Sequence, residues 1–82
     1  MLPSDAELFD LIAEEALIDR SRLGREVTIE ALGIDSVDIV TVIFAVEEKY
    51  GARIETDELS REQTLGQLLD LVRAKTPEVS PT

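Results

Sequence analysis

The chain has no cysteine and no histidine among its 82 residues. Disulfides, thiolate nucleophiles, zinc sites of the usual ligand types and the commonest general base are therefore absent, and no residue is assigned a catalytic role. Long apolar runs are lacking too. No stretch approaches the roughly 20 residues needed to cross a bilayer, and the amino end, MLPSDAELFD, has no basic segment followed by an apolar one. Positive charge is scarce: 8 basic residues stand against 18 acidic ones, for a formal charge of -10. Such a surface repels nucleic acid phosphates and anionic membranes, and it suits basic proteins as partners. A soluble cytoplasmic protein is expected, with no nucleic acid or membrane partner. Met1 opens the chain and Thr82 ends it freely, so a discrete protein is expected; a monomer is expected as well.

A hydrophobic content of 44% suffices for one small, marginally stable domain and leaves no room for a second. No segment alternates as a half-buried strand would, so the fold class expected is all-α, with four helices. Ser4 and Glu7 have capping-box spacing, and Leu8, Leu11, Ile12 and Ala16 recur on one face behind them, which predicts helix one over about 5–17. A long connection, IDRSRLGREVTIEALGID, carries enough apolar side chains (Ile18, Leu23, Val27, Ile29, Leu32) to be a packed loop. Its arginines, Arg20, Arg22 and Arg25, read most simply as solvated charges that offset acidic neighbours. Helix two is predicted from Ser36 to Tyr50, stopped by Gly51. Thr56 is placed to cap a short third helix over DELS. Helix four can begin at either Ser60 or Thr64, since both have a glutamine three residues on, and it carries the core stripe Leu65, Leu68, Leu69 and Val72. The domain is expected over 1–75. TPEVSPT, residues 76–82, has two prolines and little apolar surface and reads as a disordered tail.

Helix two has two apolar stripes. Ile39, Val42, Ile43, Val46 and Tyr50 form one suited to a core, while Val37, Val40 and Phe44 form another, flanked by Asp38, Thr41, Glu47 and Glu48. Periodicity alone leaves two readings open: a helix wrapped nearly all round, or an acid-rimmed surface on which other proteins dock.

Ser36, between Asp35 and Val37 in LGIDSVDIV, is the residue that most needs an explanation. A hydrolase nucleophile would need a G-x-S-x-G elbow and a histidine, and it has neither. The calcium-loop pattern is absent as well, so no metal site is expected from the scattered acids. A helix cap is the plainest role left for a D-S pair before an apolar run.

The order of these pieces resembles the acyl carrier protein family. IEALGIDS, residues 29–36, is similar to that family's approach to its second helix. VDIVTVIFAVEEKYG is similar to the helix itself, and RIETDELSREQTLGQLLDLV continues in register to the last helix. The resemblance implies a four-helix bundle of acyl-carrier type, with a long loop between helices one and two and a short third helix. It implies that Ser36 carries 4′-phosphopantetheine, transferred from coenzyme A by a phosphopantetheinyl transferase, with Asp35 as the cap or orienting residue beside it. The protein would then be a phosphoprotein of fatty acid, specialised lipid or polyketide metabolism that holds acyl groups as thioesters and catalyses nothing itself. The resemblance also implies that Val37, Asp38, Val40, Thr41, Phe44, Glu47 and Glu48 meet basic-surfaced acyl-transfer and synthase enzymes, and that Ile43 and Val46 are candidates for lining a cleft that shelters the acyl chain. Thr41 stands where fatty-acid carriers commonly have an acid, and ETDEL stands where many have a proline-containing form. An unmodified interaction module of the same fold, or a carrier of aminoacyl or other cargo, are the alternative readings.

Overall fold

A computed structural model describes residues 2–77. It contains three α-helices, α1 (Asp5–Ala16), α2 (Ser36–Tyr50) and α3 (Leu65–Lys75), and three single 3-10 turns at Arg20–Arg22, Glu30–Leu32 and Thr56–Glu58. Among the described residues there is no named strand, only one isolated antiparallel bridge between Thr28 and Thr64. The all-α expectation holds, but the count of four helices does not. The expected short third helix is one 3-10 turn, begun by Glu55, whose side chain and that of Glu58 cap each other's backbone N–H. Thr56 is the turn's first residue, not its cap.

Both competing start signals for the last helix are used, with different results. The Gln63 side chain accepts from Ser60 N–H at 3.1 Å and closes only a turn. The Thr64 hydroxyl accepts from Gln67 N–H at 3.2 Å while the Gln67 side chain accepts from Thr64 N–H at 2.9 Å, and this box opens α3. The second wins because Leu65, Leu68, Leu69 and Val72 follow it at helical spacing and all are buried. They pack with Leu8 and Ile12 of α1 and with Val42, Ile43 and Val46 of α2 into one core.

The long connection is a packed loop, as its apolar content predicts. Leu23, Ile29 and Leu32 are buried, each burial being worth roughly 1.5–3 kcal/mol. Its backbone is also paired. Ile29 N–H donates to Gln63 O at 3.0 Å, Glu30 N–H to Arg61 O at 2.9 Å, Leu65 N–H to Val27 O at 2.7 Å and Gly66 N–H to Arg25 O at 3.0 Å. Gly66 is a close approach: a Cβ there would lie 3.0 Å from Arg25 O.

Arg25 is exposed and offsets acidic residues, as expected from the sequence, but the acids it meets lie on other elements. It donates to Asp5 at 2.7 Å and to Asp70 at 2.9 Å, while Arg73 donates to the same two carboxylates at 2.6 and 2.8 Å. A four-membered ring of alternating charge thus ties the first turn of α1, the loop and α3 together. Arg20 pairs with Asp10 at 3.1 Å and lies over the Phe9 ring, and Arg22 donates to Leu32 O at 3.3 Å.

Helix α1 ends one residue before the expected Leu17. Leu17 takes the left-handed conformation, at φ 56 and ψ 47, and Ile18 N–H reaches back to Ala13 O at 3.0 Å. This is the Schellman geometry usually given to glycine. At the other end of the chain Thr76 closes α3, its N–H and hydroxyl both donating to Val72 O. The remainder of the expected tail, 78–82, lies outside the described residues.

Two outcomes follow for stability. Hydrogen bonds from Arg25 and then Arg73 hold the Asp5 carboxyl below its usual 3.8, and the same two arginines lower Asp70. A carboxylate lowered on folding contributes stability above its unfolded pKa and loses it as pH falls through the folded one. Thermal melts from pH 7 to 3 should therefore show stability falling below about pH 4, with a shallower fall in Asp5→Asn. Leu17 is 92% exposed, so its side chain has little packing to lose. Leu17→Gly should relieve the left-handed penalty and raise stability by about 0.5–1 kcal/mol in denaturant titrations, the extra freedom of the unfolded glycine offsetting part of the gain.

Candidate functional site

The chain turns into α2 through Gly33, at φ 68, and Asp35, which is extended at φ -94 and ψ 178. Asp35 is the N-cap: its carboxylate accepts from Asp38 N–H at 3.4 Å, and its carbonyl accepts the first helical bond, from Ile39 N–H, at 3.2 Å. Ser36 is thereby the first residue inside the helix, and the capping role the sequence allowed it belongs to its neighbour. The Ser36 side chain is exposed and makes no hydrogen bond among the described residues. Its hydroxyl stands free at the positive end of the helix, where backbone N–H groups lack helical partners and favour an anionic substituent.

Helix α2 separates its two stripes. Val42, Ile43 and Val46 are buried, with Ile39 and Tyr50 partly so. Val37 and Phe44 are exposed at 71% and 66%, and Val40 at 39%. A helix with apolar side chains this open is not wrapped on all sides. Glu47 and Glu48 are exposed and border a shallow depression with Phe44, whereas Asp38 is half-buried. Thr41 is exposed, but its hydroxyl donates to Val37 O at 2.9 Å and so is turned onto its own helix.

Beside Ser36 runs a groove of about 190 Å³. Ile39 and Val40 wall it on the α2 side, and Thr56, Leu59, Ser60 and Arg61 on the other, with Ile29 among the lining residues. The sequence reading missed this far wall. Residues 56–61 are brought to Ser36 by the pairing of Ile29 and Glu30 with Gln63 and Arg61, and no periodicity announces a contact of that kind. Behind the groove the core holds two apolar voids, of about 20 and 10 Å³. Ile43 lines both and Val46 the second. Each has room for no more than about one water, so no cleft stands open for a chain. The spaces are nonetheless in line: groove and first void share Ile29, Ile39 and Leu59, and the two voids share Ile12, Val42, Ile43 and Leu68.

The family model for the phosphopantetheine attachment site matches residues 6–72. The chain is 37% identical over 60 residues, 72% of its length, to the acyl carrier protein AcpXL of Rhizobium etli and equally to that of Rhizobium meliloti, of which it spans 65% and 63%. It therefore covers slightly less than two thirds of those two proteins. It is also 33% identical over 70 residues to the acyl carrier protein of Clostridium acetobutylicum, covering 84% of this chain and 91% of that one.

The burial pattern on α2 has a direct consequence. Ile43→Ala should destabilise the domain by about 2–5 kcal/mol, because it enlarges two existing voids. Val40→Ala, at an exposed position, should cost clearly less. Paired urea denaturation curves measure the difference, and equal costs would contradict the separation of the two stripes.

Proposed function

The chain belongs to the acyl carrier protein family, and we propose that Ser36 is its point of attachment for 4′-phosphopantetheine. Proteins of the phosphopantetheine attachment family carry that group on a serine. Ser36 is the serine at the start of α2, and the observation that carries the reading is its release from capping: Asp35 holds the helix start, and the Ser36 hydroxyl is exposed and unengaged. The residues present fit the group, since the site offers a free hydroxyl, unpartnered helix N–H groups for a phosphate and an open groove alongside.

Loading forms a new O–P bond at Ser36 Oγ as the diphosphate P–O bond of coenzyme A breaks; adenosine 3′,5′-bisphosphate leaves, and the hydroxyl proton must pass to a base. No base hydrogen-bonds to Ser36 among the described residues, and the chain has no histidine, so a separate phosphopantetheinyl transferase provides it. Once attached, 4′-phosphopantetheine supplies the thiol this chain lacks, on a flexible arm that holds acyl groups as thioesters. The chain's own residues then present the cargo. Val37, Val40 and Phe44 form the apolar part of a docking face, and Asp35, Asp38, Glu47 and Glu48 give it a charge that steers basic acyl-transfer and synthase enzymes to it. Thr41 contributes methyl surface instead of another acid. Ile39 and Leu59 stand between the groove and the core, and an acyl chain sheltered there would have to spread the helices around Ile43 and Val46, since the present voids are too small. Delivery to a fatty acid, specialised lipid or polyketide pathway follows as a carrier's task, with the chemistry left to the partners.

Incubation with coenzyme A and a broad-specificity transferase should add one arm to the wild type and none to Ser36→Ala, as read by intact mass. The substitution should change stability by less than about 0.5 kcal/mol, since the cap is Asp35. A modified Ser36→Ala protein, or an unmodified wild type beside a control carrier that is modified, overturns the assignment.

A further inference from the structure

Arg61 is a cation that the described part of the fold leaves unused. Of the eight basic residues, Arg20, Arg25, Arg53, Arg73 and Lys75 form ion pairs. Arg22 is bound to Leu32 O, and Lys49 lies 5.7 Å from the Tyr50 ring centroid. Among the described residues the Arg61 side chain makes no ion pair, hydrogen bond or ring contact, although acids outnumber bases 18 to 8. Its backbone is not free. Arg61 O accepts from Glu30 N–H at 2.9 Å, and the adjoining Ile29–Gln63 bond fixes the segment against the loop. Arg61 is therefore an exposed guanidinium on an anchored backbone, and it shares the groove with Ser36.

We propose that Arg61 is a positioning residue for the arm on Ser36: its guanidinium pairs with the arm's phosphodiester and lays the first part of the arm along the groove, past Thr56 and Ser60, instead of leaving it loose in solvent. This rests on Ser36 being the point of attachment. The electrostatics call for such a partner. A phosphodiester carries a full negative charge, and on Ser36 it would be flanked by the carboxylates of Asp35 and Asp38 on its own helix. The helix N–H groups offset only part of that repulsion, and the Asp38 N–H is already taken by Asp35. Among the described residues Arg61 is the one cation lining the groove, and a guanidinium presents paired donors that match two phosphate oxygens. The Thr56 and Ser60 hydroxyls line the same wall and can serve the polar atoms that follow the phosphate.

The test converts wild type, Arg61→Gln, Arg61→Lys and Arg53→Gln to the holo form and follows the phosphodiester by phosphorus NMR from low to high salt. Arg53 is a charge-matched control, since its contacts to Glu47 and Glu55 are long, at 4.0 and 3.9 Å, and it does not line the groove. In wild type and Arg53→Gln the phosphorus signal should relax as a group held by the domain and move as salt screens the pair. In Arg61→Gln its relaxation rate should fall roughly twofold and its salt response should vanish, with Arg61→Lys between the two. Coincident relaxation and salt response in holo wild type and holo Arg61→Gln overturns the role of Arg61 while leaving the attachment intact. Failure of wild type to accept the arm at Ser36, read by peptide mass mapping, overturns both.

Discussion

The pairing of residues 25–30 with residues 61–66 is the constraint on which the rest of this small domain depends. Three α-helices this short cannot hold their relative positions through core contacts alone when the first two are joined by a connection running from Leu17 to Asp35. The backbone bonds from Ile29, Glu30, Leu65 and Gly66 convert that connection from an entropic burden into a fourth structural layer. Gly66 permits one of these approaches, because any side chain there would press on Arg25. The ring of Asp5, Arg25, Asp70 and Arg73 locks the same junction from outside. Those groups are partly exposed, so solvent screens each contact, and the ring is better read as fixing register than as the main source of stability.

The same pairing makes the site. Ser36 takes its place from local chemistry, the Asp35 cap and the turn at Gly33. The opposite wall of the groove, from Thr56 to Arg61, belongs to a segment too short to form a helix and held instead by its bonds to the loop. Lys75 adds a further tie, pairing with Glu58 at 2.8 Å, so that the end of α3 holds the 3-10 turn in place. A lone amphipathic helix could expose a serine; it could not set a groove beside it.

What was legible in the sequence was what local rules determine. The limits of α2, its two stripes, the cap at Ser4 and the packed character of the loop all follow from spacing and capping chemistry that act over a few residues. The third helix was misread because DELS has capping signals without a following apolar stripe, and a cap with nothing to bury closes a turn and stops. The choice between Ser60 and Thr64 turned on the same point. The partners of Arg25 were not legible because a charge is defined by what the fold brings to it, and Asp5 and Asp70 are 20 and 45 residues away. Arg61 escaped notice for the same reason: its nearness to Ser36 is a product of tertiary pairing, and a single arginine between Ser60 and Glu62 has no periodic signature.

The same contacts also decide where the charge of the domain lies. With a formal charge of -10, the domain has few cations to distribute, and five of them are committed to ion pairs. Much of that commitment lies at the junction of α1, the loop and α3, away from the exposed stripe of α2. Val37, Val40 and Phe44 are left with mainly acidic neighbours, and Arg53, near Glu47, makes only long contacts. An apolar stripe in an acidic frame is a poor surface for self-association, because two copies would bring like charges together, and a good one for a basic partner. The ring that fixes the loop thus also keeps its two arginines off the face that the proposed carrier role requires to stay negative, and one set of contacts serves both the fold and the surface it displays.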